Sequence, residues 1–149
     1  MPLEANVCPV STKHMIQLHG FEELWGYVQA VHVGPFVFVS GTVSIDANGN
    51  PTAVDDMPTQ VDNVYESIRQ SLAAHGATLS HIVREAIVTT DLPRFLAEGA
   101  ARRLAAFAGH SLPASAPWIE VPRLAQPEFM VEVEVTAYLP EFNPLSAAY

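Results

Sequence analysis

The segment 26-GYVQAVHVGPFVFVSG-41 decides the fold. Tyr27–Val33 and Phe36–Ser40 are short runs rich in Val and Phe, parted by Gly34-Pro35. Two such runs broken by a turn pair predict an antiparallel hairpin. A third run near the other end, Met130–Leu139, reads MVEVEVTAYL. It sets Val131, Val133 and Val135 on one face and Glu132, Glu134, Thr136 and Tyr138 on the other, the period of a strand with one buried side.

Working outward, Lys13–His19 alternates as a further strand, Gly20–Gly26 reads as a loop, and Asp46-Ala-Asn-Gly49 is a turn. A helix opens at Asp56, which can cap, with Pro58 in the first turn where its missing N–H costs nothing. Val61, Val64, Ile68 and Leu72 then recur at helical steps, and Gly76 supplies a left-handed stop. Ile82–Thr90 alternates as a strand. Asp91 caps a second helix carrying Pro93, Phe95, Leu96, Leu104 and Phe107, and Gly109 ends it. Trp118–Val121 adds a short strand, while residues 1–12 and Pro140–Tyr149 read as extensions. The order predicts an α+β domain with a mixed sheet and both helices packed on one face. Nothing in the chain covers the other face, and an uncovered apolar sheet face is an association surface.

With 149 residues the chain fits one domain, 1–149, with its core at about 13–139. Its hydrophobic fraction is 49%, a generous supply of apolar surface for burial between copies. The formal charge is −9 with seven Lys and Arg. Phosphate backbones and anionic membranes are gripped by clustered cations, so neither nucleic acid nor membrane is an expected partner. The lone cysteine, Cys8, points to a reducing compartment. The six histidines (His14, His19, His32, His75, His81, His110) are scattered, without metal-ligand spacing, and no metal is expected. No basic start precedes an apolar run at the N-terminus and no apolar stretch approaches the roughly 20 residues of a membrane helix. The expected location is cytoplasmic.

The element order resembles that of the RidA/YjgF family of small enamine/imine deaminases. So do Tyr27-Val-Gln-Ala-Val31, Phe38-Val-Ser-Gly41, Gly76-Ala77, Thr90-Asp91-Leu92 and Glu132-Val-Glu134. The likeness runs over about residues 13–139. It implies a chorismate-mutase-like fold, a homotrimer with sites between subunits, and hydrolysis of a small-molecule enamine or imine to a ketone and ammonia without a cofactor. By position the resemblance makes Glu132 the water-handling carboxylate, with Tyr27, Ser40 and Gly41 lining the pocket. Read without it, Glu132 and Glu134 are the wet face of an edge strand, Tyr27 is a packing residue, and Ser40-Gly41 simply ends a strand. The second implication of the resemblance is then a non-catalytic trimer that binds a metabolite or a protein.

One departure bears on substrate. Deaminating members of the family read Pro-Ala-Arg before the penultimate strand, and that arginine grips the substrate carboxylate with two hydrogen bonds. The matching run here is Leu112-Pro-Ala-Ser-Ala-Pro-Trp-Ile-Glu-Val121. Ser115 or Ala116 takes the arginine's place, depending on the end from which the run is aligned. Losing such a pair typically costs about 2–5 kcal/mol, enough to make small imino acids poor substrates. Trp118 stands where the family carries a small residue, and either narrows the pocket or packs in the core. A family Asn-x-x-Tyr pair falls at Gly99 and Arg102, so Arg102 is a candidate substitute clamp, or a solvated surface residue.

Overall fold

Alternation along the strands sorts the side chains of one sheet into two faces, and helices cover only one of them. A computed structural model describes residues 14–140. The strands are β1 (His14–Ile16), β2 (Ala30–Val33), β3 (Phe36–Thr42), β4 (Ile82–Thr89), β5 (Ala114–Ser115), β6 (Ile119–Glu120) and β7 (Val131–Tyr138). They form a mixed sheet in the order β1-β2-β3-β7-β4, with β5 and β6 parallel to β4 along its far side. The last strand is therefore central, antiparallel to β3 on one side and to β4 on the other. Glu132 and Glu134 do not belong to an edge, so the edge-strand account of their charge fails.

The hairpin forms where the sequence places it. Gly34 takes φ +54 at the turn, a conformation that L side chains rarely adopt, and Ala30–Val33 pairs with Phe36–Val39. The stretch before Ala30 is not strand, and the expected Gly20–Gly26 loop contains a short helix, α1 (Phe21–Leu24). Lys13 lies outside the described residues. Helix α2 (Met57–Ala73) starts as expected, with the Asp56 carboxylate accepting from the Thr59 amide at 3.1 Å. The second helix is less regular: α3 (Leu92–Arg94) passes through a π-helical stretch (Phe95–Gly99) into α4 (Ala100–Ala106). A Cβ at Gly99 would come within 2.8 Å of the Phe95 ring, so glycine lets that turn close.

Val37, Val39, Val131, Val133, Val135 and Ala137 meet Val61, Val64, Ile68 and Leu72 of α2 in the core. Each fully buried aliphatic side chain contributes about 1.5–3 kcal/mol. On the opposite face Phe38 is 48% exposed, Phe36 41% and Tyr138 40%, with Met15 and Val83 also uncovered. Two bulges interrupt the pleat. One extra residue falls between Val39 and Thr42 against Val135 and Val133, and another between Ile82 and Arg84. The second explains why Val83 does not share the inward face of Glu85, Ile87 and Thr89 that simple alternation assigns to it.

Inside the helix-covered layer sits one charged knot. Glu85 is fully buried. It accepts from the Tyr65 hydroxyl at 2.7 Å and from Arg103 Nε at 2.6 Å. The Arg103 guanidinium also lies 5.1 Å from the centre of the Phe107 ring and 5.9 Å from that of Trp118. Burial, then the Glu85 charge, pushes the Tyr65 hydroxyl far above its usual range, so it stays a donor. Removing one member of a buried pair leaves the other uncompensated. Arg103→Met is expected to lower stability by about 3–5 kcal/mol in urea denaturation, and adding Glu85→Leu should recover most of that loss.

Candidate functional site

The pleat of β7 turns its valines to the helices, so Glu132 and Glu134 must emerge on the open face of the sheet. Glu132 leans across to β3 at the first bulge. A Cβ on Gly41 would lie 2.0 Å from Glu132 Oε1, so the carboxylate occupies space that any side chain at position 41 would fill. Burial, then the charge of Glu22 and then that of Glu132, raises the pKa of the Tyr27 hydroxyl. The Ser40 hydroxyl donates to the Val28 carbonyl at 2.7 Å, holding the end of β3 against the segment that carries Tyr27. Four residues singled out in the sequence, Tyr27, Ser40, Gly41 and Glu132, are thus brought together.

Of these, Tyr27 and Ser40 also line an open cleft of about 370 Å³, together with Val31, Phe38, Glu134 and Thr136 among others. A narrower hollow beside it is lined by Tyr27, Gln29, Gly41 and Thr42. The walls are apolar on the Val31 and Phe38 side and acidic on the β7 side. Glu132 is half-buried. Burial and then the neighbouring charge of Glu134 raise its pKa above the ordinary 4.5. Glu134 itself is 3.6 Å from Arg84, an exposed pair of little energetic weight.

The other singled-out residues lie elsewhere in the chain. Ser115 pairs with Glu85 across β5 and β4, and the Ala116 amide donates to the Glu85 carbonyl at 2.8 Å. Trp118 donates from Nε1 to Ser115 Oγ at 3.1 Å and packs edge-on against Phe95 at 5.2 Å. Its ring is a partly buried member of the core, so within one chain it braces the 114–120 segment and does not touch the Glu132 cluster. Arg102 is bound to Asp62 of α2, in the layer of helices.

Two features escaped the sequence reading. Glu22 is fully buried behind Tyr27, with Oε2 accepting from the Leu18 amide at 2.9 Å and Oε1 without a partner. Desolvation raises its pKa. Its only sequence signal is a carboxylate three residues before Trp25, which is no signal at all. His14, His32 and His75 also converge, with ring centres 6.4 and 5.3 Å apart along the series, although they come from β1, β2 and the end of α2. Burial and the other two rings hold the His75 pKa down. Among the described residues no group of three His, Cys, Asp or Glu is arranged to hold a metal ion, and no helix is long and apolar enough to cross a membrane.

The sequence matches the family described as Endoribonuclease L-PSP over residues 19–139. A RutC family protein of Pyrococcus abyssi is 32% identical over 112 residues, 75% of this chain and 85% of that one. The crystal structure of Rv2704 from Mycobacterium tuberculosis, a member of the YjgF/YER057c/UK114 family, is 32% identical with a TM-score of 0.72. It covers 86% of this chain and 100% of that one. The crystal structure of TdcF from E. coli with bound serine is 26% identical with a TM-score of 0.67, over 75% of this chain and 87% of that one.

Gly41 can be tested apart from the fold. The atom its Cβ would meet is the free end of the Glu132 side chain, which can swing away. Gly41→Ala is expected to keep the circular-dichroism melting curve close to that of the parent protein. By displacing the carboxylate by an ångström or more it should lower any Glu132-dependent turnover about 100-fold.

Proposed function

This chain belongs to the Endoribonuclease L-PSP family, the RidA/YjgF group, and from that premise we propose that it hydrolyses a small enamine, imine or related unsaturated nitrogen compound. The reaction occurs at sites formed between subunits of a homotrimer, without a metal or organic cofactor, and Glu132 handles the water. The observation that carries this reading is the Glu132 carboxylate itself. It is on a central strand, seated on a side-chain-free position of β3, half-buried, and unbonded by any described donor. A surface glutamate kept for solubility needs none of those conditions.

The chemistry follows from that placement. With the substrate's C=N carbon over the carboxylate, a water oxygen bonds to carbon while one of its protons passes to Glu132. The carbinolamine nitrogen takes that proton back. The C–N bond then breaks with its electron pair to nitrogen while Glu132 carries the remaining hydroxyl proton to that nitrogen, giving a carbonyl compound and ammonia and leaving the carboxylate ionised again. One water is consumed and no electrons are gained or lost. A base whose pKa lies above the ordinary glutamate value suits both directions of this transfer.

The trimer is supported by the bare aromatic face of Phe36, Phe38 and Tyr138, which a monomer would leave in water. The bound serine of the E. coli relative supports a small-molecule site in the family. Two features favour a different substrate here. The run 112–121 has no arginine, and the described residues of the cleft include none either. Ribonuclease activity, which the family's description suggests, is disfavoured by the −9 charge. The second reading, a non-catalytic trimer that binds a metabolite or protein, is favoured by the same missing clamp and keeps the cleft without the turnover.

Glu132→Gln is expected to reduce kcat/KM on a carboxylate-free imine by about 100- to 10,000-fold while the protein stays folded. Undiminished turnover removes the catalytic assignment. Small imino acids such as 2-iminopropionate should be poor substrates of the parent protein. Because ionised Glu132 is the active form and its pKa is raised, the acidic limb of the rate profile should lie above pH 4.5. Glu134→Gln removes a like charge, so it should move that limb to lower pH. Light scattering should give the mass of three chains, and the mass of one chain would dispose of a site between subunits.

A further inference from the structure

The six arginines of the described residues can be accounted for one at a time. Arg69 bonds Glu66, and Arg94 bonds Asp55 and Glu98. Arg102 bonds Asp62, and Arg103 is locked to buried Glu85. Arg84 faces Glu134, and Arg123 reaches the carbonyls of Leu124 and Ala125. Five of the six are thus neutralised by carboxylates of the same chain. Recruiting Arg103 to a ligand would strand Glu85 in the core without its counter-charge. Glu134, which lines the cleft, and the carboxylates near it show the reverse condition. Glu132 has no cation beside it, Glu134 has only a loose partner at 3.6 Å, and Glu22 is buried behind Tyr27 with one oxygen unpaired.

A half-buried carboxylate that lacks a donor and faces a second carboxylate is stabilised by whatever positive charge enters beside it. The apolar side chains of Val31 and Phe38, which line the cleft with Glu134, lower the local dielectric and strengthen that attraction. An aromatic face is compatible with a cation as well. A carboxylate-bearing ligand would meet like charge on one side and hydrocarbon on the other.

Resting on the site of the preceding subsection, we propose that the cleft selects a positively charged nitrogen substrate without a carboxylate, an iminium or amidinium compound, and rejects its anionic counterpart. Glu132 then has two tasks at one place. It holds the cationic C=N group as an ion pair, and it takes the proton from the water that attacks it. In the iminium the positive charge already activates the carbon, so the lost arginine is not missed: no substrate carboxylate remains to be gripped. Glu134, two residues along the same face of β7 and lining the cleft, sets the sign of the field and makes no bond to the reacting atoms.

The probes are benzamidinium, benzoate and benzamide, which share a ring and differ in charge. Their dissociation constants are measured by titration calorimetry on the intact protein, on Glu132→Gln and on Glu66→Gln. The last variant removes an equal charge from the exposed face of α2 and controls for the overall −9 charge. Benzamidinium should bind at least about tenfold more tightly than benzoate. Glu132→Gln should abolish that preference without altering benzamide, Glu66→Gln should leave it intact, and added salt should weaken benzamidinium alone. Benzoate binding as tightly as benzamidinium, a preference that survives Glu132→Gln, or no saturable binding of benzamidinium would each overturn the proposal. Imine hydrolysis is assayed separately. Charge preference without turnover would retire the hydrolytic reading and leave this one standing, while turnover with equal grip on benzoate would do the opposite.

Discussion

The pleat of β7 is the constraint from which the rest follows. Val131, Val133, Val135 and Ala137 must face α2, because that is where the apolar surface of the chain is buried. Once they do, Glu132 and Glu134 have no alternative to the opposite face, and a one-residue slip would send both carboxylates into the core. The strand is clamped between β3 and β4, so this slip is blocked from both sides. The position of the acid is therefore fixed by hydrophobic burial several ångströms away from it. The site inherits its precision from the core.

A second consequence concerns where the protein keeps its charge. A small chain with few cations has used them to join elements: α2 to α4 through Asp62 and Arg102, and β4 to both helices through Glu85, Tyr65 and Arg103. The buried knot also steadies the run that follows α4, because Arg103 lies under Trp118 and Trp118 bonds Ser115. The segment 114–120 is here part of the scaffold.

Much of this was legible in the sequence because period and punctuation are local properties. The valine-glutamate alternation of β7, the Asp56 cap with Pro58, and the Gly34-Pro35 turn each depend on residues within a few positions of one another. What the sequence hid depends on distance. Glu85 reads as one residue of an alternating strand, and its partners Tyr65 and Arg103 stand on other elements with no spacing rule to link them. His14, His32 and His75 look scattered because only the pairing of β1 with β2 and the return of α2 bring them together. The central place of β7 could not be read from its own residues, since a strand's neighbours are chosen by topology. The bulges left no trace either, as an added residue changes register without changing composition. In the candidate site, Tyr27, Ser40, Gly41 and Glu132 came from likeness to a family, and the structure gave them a shared location. Ser115, Ala116, Trp118 and Arg102 lie outside that group within a single chain.

The irregularity at Ser40-Gly41 has an implication of its own. Without the additional residue, β3 would run straight from Val39 to Thr42 opposite Val135 and Val133, and Thr42 would still point inward. The hydrophobic interior would be no worse filled. The kink ties Ser40 to Val28 and Thr42 to Ser40, and it opens the niche beside Glu132. In this domain one of the two breaks in the ladder is also the seat of a half-buried carboxylate.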